Sequence, residues 1–299
     1  MPAWINKIIL LFCYVNIGFL VMSTVHSVLR QIRGSWIRYL RDQSRGRPSL
    51  CSIFVLAVRR SRISEQEFQQ LLNESAKFND MLVLDADDSY RLIMLKLTSA
   101  MAFYLEHCYE ENTDSKLAGN SPLFLKMDED PVVNPAKLLD ILPGLSGNGN
   151  RNEFMAGSVF RNASWGPIRD SSLRDYVPTD IYPHSLWLFD FLSGPAYFLS
   201  PLSVKRTFEY VRCLPATMTY DDVDITGLLR IRLHISIIDL TQFWFPAGIS
   251  EDVRQFARAN AAPPPSFHRL TFAHYSPQLA DDDYAIIWNY FDRNFFFNK

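Results

Sequence analysis

Three acidic residues follow directly on an apolar segment near the middle of the chain. Asp128, Glu129 and Asp130 come after residues 123–127, which have the length and composition of a buried strand. Hard carboxylate oxygens gathered at the carboxyl end of a strand suit a divalent cation and the phosphates of its ligand. Acidic triplets also cap helices or face solvent, so the triplet alone leaves both interpretations open.

A second acidic group stands further along the chain. Asp221, Asp222 and Asp224 precede an apolar, helix-like run that continues to residue 232. The positive end of a helix favours an ionised carboxylate, and such a group can take a proton from a nucleophile, which makes Asp222 a candidate general base. Ordinary N-cap and first-turn acids produce the same pattern, and this is the alternative for all three residues.

An alternation of strands and helices has to position these acids. Strands are predicted at residues 19–23, 52–58, 81–84, 123–127 and 153–160, and helices at residues 30–41, 64–77, 90–107, 135–142, after Ser200 and at residues 221–232. Ser64 with Glu67 predicts a capping box, and Pro143-Gly144 predicts a helix end. The alternation predicts an α/β fold with a mostly parallel sheet flanked by helices.

Composition limits the classes of function. The chain has 299 residues, of which 48% are apolar, and this fits one large α/β domain or two tightly joined halves. We predict one domain of catalytic size over residues 19–299. A net charge of −2 provides no field that would attract nucleic acid, which we exclude as a partner. The four cysteines form no C-x-x-C pair, so neither a zinc ribbon nor a thioredoxin motif is present, and free thiols or one disulfide remain as alternatives.

The N-terminal segment, residues 1–24, allows two interpretations. No Asp, Glu, Lys or Arg occurs from Ile8 to Leu29, and an apolar run of about 17 residues is enough for a bilayer span. The segment is therefore either a membrane anchor that merges into the first strand, or a short apolar stretch followed by a buried strand at residues 19–23. Hydropathy does not separate these alternatives.

Taken in order, a series of short motifs resembles the β1,3-galactosyltransferase family. The matching positions are residues 30–36, Glu74-Ser75 with Asp80, Asp85 with Asp88 and Tyr90, Lys96, residues 126–130 with Asn134, Pro167 with Arg169, Ser193-Gly194 with Tyr197 and Ser200, Asp221-Asp222-Val223 with Gly227, and residues 270–277 with His274. The resemblance runs from about Phe19 to the C-terminus, and the order of the motifs makes it more specific than any one of them.

The resemblance implies a GT-A-type, Rossmann-like fold and a hexosyltransferase. The expected reaction is the inverting, Mn²⁺-dependent transfer of a hexose, most often galactose, from a UDP-sugar to a sugar hydroxyl, which forms a β1,3 linkage on a glycoprotein or glycolipid glycan. The expected location is the Golgi membrane, as a single-pass type II protein with a luminal catalytic domain.

The resemblance also assigns roles to residues. Asp130 is the expected principal metal ligand, Asp128 a second contact to the metal or the nucleotide, and His274 the ligand from the far end of the chain. Glu129 is expected on the donor side, and Asp222 is the expected catalytic base.

Other positions have two interpretations each. Arg30, Arg33 and Lys96 are candidates for binding the donor's phosphates or for ion pairs that shape the nucleotide pocket, and the alternative for each is a solvated or Glu-paired helix charge. Asp88 either lines the donor pocket or caps the following helix. Trp36 is expected in the core, because large aromatic side chains mostly stabilise by burial.

Departures from the family pattern bear on substrate choice. Glu129 replaces the usual Asp, Leu92 and Met94 stand where Asn and Thr are typical, and residues 184–189 look like an insertion. Donor and acceptor therefore stay open, with GlcNAc and GalNAc as alternatives to galactose. A non-catalytic relative with a binding or chaperone role, and a membrane-tethered α/β binding protein, are the competing functions.

Overall fold

The computed structural model describes most of the segments that carry these motifs. The described residues are 17–22, 29, 32–43, 50–87, 92–109, 123–128, 131–146, 153–161, 166–173, 176–212, 220–245, 259, 271–274 and 288–289. Five of the predicted site residues are described at least in their backbone: Arg33, Lys96, Asp128, Asp222 and His274. Arg30, Asp88, Glu129 and Asp130 lie outside the described residues.

A seven-stranded sheet forms the centre of the molecule. Its strands are β1 (Ile17–Met22), β2 (Leu50–Ala57), β3 (Met81–Leu84), β4 (Leu123–Asp128), β6 (Phe154–Phe160), β7 (Phe191–Leu199) and β8 (Ser236–Asp239), in the order β3-β2-β1-β4-β7-β6-β8. Strand β7 runs antiparallel to both β4 and β6, and the other pairs are parallel. The predicted α/β class with a mostly parallel sheet is confirmed.

A small second sheet brings the C-terminal segment back to the middle of the chain. It consists of β5 (Pro131–Val133), β9 (Trp244–Phe245) and β10 (Phe272–His274), in the order β5-β10-β9. Strands β10 and β5 are antiparallel, and His274 is the partner of Pro131. Residues that are widely separated in sequence therefore meet just beyond the end of β4.

Helices connect the strands of the central sheet. They are α1 (Arg38–Gln43), which follows a π-helical turn at Arg33–Ile37, then α2 (Glu65–Phe78), α3 (Ile93–Tyr104), α4 (Pro135–Ser146) and α5 (Pro201–Val211). A π-helix (Asp222–Leu229) continues into a last turn at Arg230–Arg232. Helix α3 lies against β1 and β2, and α5 lies against β4 and α3, so the two pack on the sheet together.

Local sequence signals fix the ends of several helices. The Ser64 hydroxyl accepts from the Glu67 backbone N–H, and the Glu67 carboxylate accepts from Ser64, so the predicted capping box is present. Helix α4, in contrast, does not end at Pro143 as predicted. Leu142 and Leu145 are both buried, and their packing on either side of the exposed Pro143 outweighs the lost hydrogen bond.

The core confirms the burial expected for Trp36, which is fully buried. It packs in one continuous apolar cluster with residues of β2, β4 and β7, including Phe54, Leu125 and Phe198.

The N-terminal segment contributes β1 to the middle of the sheet. Residues 17–22 pair with β2 on one side and β4 on the other, and both interpretations of the segment include a strand at this place. Within the ranges given above, no helix combines the length and the hydropathy needed to cross a bilayer. The apolar residues 8–16, the remainder of the predicted anchor, lie outside the described residues.

Candidate active site

A buried lysine gathers carboxylates at the carboxyl end of β4. Lys126 is fully buried, and its Nζ lies 2.7 Å from Asp128 Oδ1, 2.7 Å from the Gly194 carbonyl oxygen and 3.2 Å from Asp221 Oδ2. The ammonium group donates hydrogen bonds to Asp128 and to the Gly194 carbonyl oxygen, and it forms an ion pair with Asp221. The predicted acid at the end of β4 is thereby joined to the acidic group at the start of the π-helix.

The charge of Lys126 follows from its partners. Burial alone would lower the pKa of Lys126, but the carboxylates of Asp128 and Asp221 outweigh this effect and raise it, so the ammonium stays charged. Asp221 is buried too, whereas the side chain of Asp128 is 28% exposed. Asp128 is therefore the member of the pair that a ligand can reach from solvent.

An irregular stretch of β7 supplies the carbonyl that Lys126 needs. Pairing between β6 and β7 shifts register between Gly157 and Val159, which pair with Tyr197 and Leu192. Such bulges release backbone groups from the ladder and often occur beside active sites. Here the Gly194 carbonyl accepts from Lys126.

Tyr197 holds Asp221 from the opposite side. Its hydroxyl donates to Asp221 Oδ2 at 2.9 Å, and its ring lies 5.5 Å from Lys126 Nζ. Burial and the charge of Asp221 raise the pKa of Tyr197 well above its usual range, so the hydroxyl keeps its proton and remains a donor. Asp221 is thus fixed by two partners.

Asp222 has the properties of a general base. The residue is half-buried, and its Oδ1 accepts from the Val223 backbone N–H at 2.8 Å. Burial of the carboxylate and the neighbouring charge of Asp221 raise the pKa of Asp222 to about 7, against the opposing effect of Lys126. A base with a pKa near the working pH removes protons efficiently.

The π-helix that carries Asp222 is tied to β7. Thr226 Oγ1 donates to the Asp222 carbonyl oxygen at 2.6 Å and accepts from the Leu192 N–H at 2.8 Å. Gly227 lets the ring of Phe189 approach, since a Cβ there would lie only 2.4 Å from a ring carbon. Asp222 is therefore held at a fixed distance from the sheet.

Gly194 leaves room for the Asp222 carboxylate. A Cβ at this position would come within 2.8 Å of Asp222 Oδ2. We expect Gly194→Ala to displace the carboxylate and lower kcat about 100-fold, because misplacement by about 1 Å can have that effect. Steady-state transfer assays check this, with urea unfolding to show that the fold persists. Gly144→Ala is the matched control, since its Cβ would meet nothing within 4 Å. Equal rates for both variants would contradict the role of Gly194 in leaving room for the Asp222 carboxylate.

Of the three predicted metal ligands, the structure describes Asp128 and the backbone of His274. His274 pairs with Pro131 in the small sheet, and Asp128 is the last residue of β4, three positions before Pro131. No group of three His, Cys, Asp or Glu side chains suited to a metal occurs among the described residues, and Glu129, Asp130 and the His274 side chain are not among these. Carboxylate oxygens and one imidazole are a donor set that fits Mn²⁺.

Arg33 is paired with two carboxylates. Its guanidinium donates to both oxygens of Asp80, at 2.8 and 2.7 Å, and to Glu74, and it lies over the rings of Phe54 and Phe78. The motif residues Glu74 and Asp80 are thus its ion-pair partners, and only 8% of the Arg33 side chain is exposed. Arg30, the neighbouring candidate, lies outside the described residues.

Lys96 and the two substituted positions near it lie in or beside α3. Lys96 is buried within this helix, while Leu92 immediately precedes it and Met94 is in its first turn. Asp88, the other predicted donor contact, lies outside the described residues.

Sequence reasoning did not assign site roles to Lys126, Asp221 and Tyr197. A detectable signal was present for Lys126, because a charged residue inside the apolar run of residues 123–127 must find partners when the strand is buried. The identity of those partners depends on β7 lying next to β4, which the sequence pattern did not predict.

The chain is similar to several known glycosyltransferases. The profile of a family described as galactosyltransferase matches residues 29–241. A lactosylceramide 1,3-N-acetyl-β-D-glucosaminyltransferase B of Xenopus laevis is 26% identical over 193 residues, which cover 64% of this chain and 47% of that protein. A β-1,3-galactosyltransferase 1 of Mus musculus is 30% identical over 194 residues, covering 63% and 53%.

The chain spans about half the length of these curated relatives. Among solved structures, a glycosyltransferase involved in the glycosylation of the major capsid of PBCV-1 aligns with 91% of this chain and 98% of its own, at 11% identity and a TM-score of 0.45.

Proposed function

The chain belongs to the galactosyltransferase family, a family of β1,3-glycosyltransferases with a GT-A-type fold, and from this premise we propose that it transfers a hexose from a UDP-sugar to a sugar hydroxyl with inversion. One observation carries the proposal. Lys126 holds Asp128, on the donor side, and Asp221, next to the base Asp222, within a single charged cluster.

The residues of the cluster have separate tasks in this reaction. Ionised Asp222 accepts the proton of the acceptor hydroxyl while the hydroxyl oxygen bonds to the anomeric carbon. The bond from that carbon to the diphosphate breaks, and UDP leaves with the electron pair. Attack from the side opposite UDP inverts the anomeric centre, which converts an α-linked donor into a β-linked product. Lys126, Asp221 and Tyr197 keep the base in place throughout.

Asp128, Asp130 and His274 would hold Mn²⁺, with Glu129 beside them on the donor side. The cation would neutralise the charge that develops on the departing diphosphate. Asp128 is suited to the task because Lys126 leaves part of its carboxylate exposed to ligands. Arg30, Asp88 and Lys96 remain candidate donor contacts in this proposal.

The donor and acceptor follow from the family. We propose galactose as the transferred sugar, with GlcNAc or GalNAc as the alternatives, since Leu92 and Met94 remove two polar groups that the family pattern has. The acceptor is a glycan on a glycoprotein or glycolipid, and the proposed linkage is β1,3. The proposed location is the Golgi, as a type II membrane protein with its catalytic domain in the lumen.

Titration with UDP tests the metal part of the proposal. We expect UDP to bind about tenfold or more tightly in Mn²⁺ than in EDTA, because a cation held by Asp128, Asp130 and His274 would neutralise charge on the diphosphate. Asp128→Asn should weaken binding in Mn²⁺ and leave the affinity in EDTA unchanged. Calorimetry on the full chain measures both affinities. Equal UDP affinity for the wild type in Mn²⁺ and in EDTA would contradict a metal site at Asp128.

A further inference from the structure

A second apolar cluster, distinct from the main core, includes residues on both sides of the acid pair Asp221-Asp222. Its buried members are Val177, Tyr182, Trp187, Phe191, Tyr220 and Val223, and the half-buried Phe160 and Phe189 pack against it. Tyr220 directly precedes the acid pair, and Val223 directly follows it. The pair is therefore flanked by two side chains that are anchored in one cluster.

Trp187 makes the ring contacts that connect this cluster. It is buried, and its ring lies 4.8 Å from that of Tyr182, 6.2 Å from that of Phe191 and 6.3 Å from that of Tyr220. The last two contacts are edge-to-face, the arrangement in which aromatic pairs stabilise beyond the burial of their area. Tyr220 is thus joined to residues 184–189, the segment that looks like an insertion.

The backbone on both sides of Trp187 is fixed by hydrogen bonds. The Tyr182 hydroxyl donates to the Leu186 carbonyl oxygen at 3.1 Å and accepts from the Leu188 N–H at 3.0 Å. Arg169 in turn donates to the Tyr182 carbonyl oxygen. Trp187 is therefore a supported side chain, and its ring gives Tyr220 a fixed surface to pack on.

The start of the helix depends on such packing. In this described segment Asp221 has the N-cap position, but its side chain makes no capping hydrogen bond to the first turn. Its carboxylate is used by Lys126 and by the Tyr197 hydroxyl. The Tyr220 carbonyl oxygen accepts from the Asp224 N–H at 3.1 Å, so the position of Tyr220 determines that of the turn. A helix start without a side-chain cap relies on tertiary contacts for its stability.

We propose that Trp187 is a positioning residue for the base, which acts through Tyr220 to hold the first turn of the helix and with it the Asp222 carboxylate. This rests on the proposed function, in which that carboxylate has to meet the acceptor hydroxyl. The cluster around Lys126 holds the acid pair through Asp221, and Trp187 holds it through the preceding residue. The segment that departs from the family pattern thereby supports the reaction through the base.

Substitutions of Trp187 in the full chain test this role. Trp187→Leu stays apolar but loses the ring, and it should lower kcat about tenfold to 100-fold, since misplacement by about 1 Å can have that effect. The KM for the acceptor and the affinity for UDP in Mn²⁺ should stay at their wild-type values. Trp187→Phe restores a ring that can meet Tyr220 and should recover most of the rate. Trp36→Leu is the matched control, because it makes the same change at a buried tryptophan of the main core, and it should keep kcat.

A double-mutant cycle tests whether Trp187 acts through Tyr220. Tyr220→Leu should lower kcat to a similar extent. Adding Trp187→Leu to this variant should change kcat by less than about threefold, because both substitutions break the same contact. Losses that multiply in the double variant would show independent actions and overturn the route through Tyr220.

Hydrogen exchange read by mass spectrometry gives a measurement that does not depend on transfer. In Trp187→Leu, the amides of residues 222–229 should exchange about tenfold faster than in the wild type, because the start of the helix opens locally. In Trp36→Leu, the same amides should exchange at the wild-type rate. Equal acceleration in both variants would indicate a general loss of stability and overturn the inference.

The two measurements separate the inference from the function on which it rests. A wild-type kcat in Trp187→Leu would overturn the inference and leave the transferase intact. If the wild type transfers no sugar, the proposed function fails and exchange decides the inference. Faster exchange of residues 222–229 in Trp187→Leu alone would then support the hold of Trp187 on the helix, and unchanged exchange would overturn it.

Discussion

Replacement of Asp222 by Asn should lower kcat by about 10²–10⁴, the usual contribution of a general base. The amide keeps the shape of the side chain and its place beside Gly194, but it cannot take a proton from the acceptor hydroxyl. UDP affinity should stay at the wild-type value, because Asp222 does not touch the donor's diphosphate in the proposed geometry. Initial rates at saturating donor and acceptor measure kcat, and calorimetry measures UDP binding.

The pH dependence gives an independent signature of the same residue. The pKa of Asp222 is raised to about 7, so kcat/KM of the wild type should rise with pH and level off above this value as the carboxylate ionises. A cation bound at Asp128 would move the rise toward lower pH. The Asn variant should lack the rise altogether, and a residual rate with the wild-type profile would refute the role of Asp222.

Two controls accompany the Asp222→Asn variant: its free energy of unfolding, and the substitution of a neighbouring acid. Burial disfavours the ionised form in the native state, so above pH 7 a neutral Asn should not reduce the free energy of unfolding. Asp224→Asn removes another acid from the first turn of the same helix and should retain the wild-type rate. A similar loss of rate in both variants would indicate that acids in the first turn act by stabilising the helix, and it would count against base catalysis by Asp222.

Lys126→Met should lower the free energy of unfolding by about 3–5 kcal/mol, because it leaves buried Asp221 without its cation. Methionine fills a similar volume, so packing changes little. Transfer activity should be lost as well, since Asp128 and the Asp221–Asp222 pair are no longer held together. Urea unfolding of the full chain measures the first effect, and initial rates measure the second.

Two further variants separate the charge effect from a packing effect. Lys137→Met breaks an exposed ion pair with Asp140 and should change the free energy of unfolding by less than about 1 kcal/mol. A Lys126→Met/Asp221→Asn double variant should recover part of the lost stability, because it removes the unpaired charge together with its partner. If the double variant is no more stable than Lys126→Met, the unpaired charge of buried Asp221 is not the cause of the lost stability.

Sequence patterns identified the regular elements best where local signals were strong. The capping box at Ser64 placed the start of α2, and β3 was predicted at its observed bounds, residues 81–84. The apolar run before Asp128 marked β4 and its carboxyl end. These features depend on residues close in sequence, which is why the sequence alone was sufficient to predict them.

Elements that depend on tertiary packing were missed or misplaced. Strand β7 contains Gly194 and Pro195, two residues that argue against a central strand, yet its pairing with β4 and β6 holds it in the sheet. Helix α4 passes through Pro143 because buried leucines stand on both sides. The turns of the helix after Asp221 are of π type, and no feature of the apolar run predicted this.

The site was predicted in pieces and joined only by the fold. Asp128 and Asp222 were each assigned from local chemistry and the family resemblance, and they are brought together through Lys126 and Asp221. For Arg33, the sequence left two roles open, and the distances to Asp80 select the ion pair. The contact of Arg33 with Asp80 joins residues 47 positions apart, and that of Lys126 with Asp221 joins residues still further apart in sequence, so periodicity and spacing could not predict either.

Transfer itself is the most direct test of the central claim that Lys126 assembles one catalytic centre from Asp128 and Asp222. UDP-galactose, UDP-GlcNAc and UDP-GalNAc should be offered to the full chain with Mn²⁺ and galactose, GlcNAc or GalNAc acceptors, and the product linkage read by NMR. The account predicts a β1,3-linked product from at least one pair, abolished in Asp222→Asn. UDP binding without transfer from any pair would contradict it and favour the non-catalytic alternative.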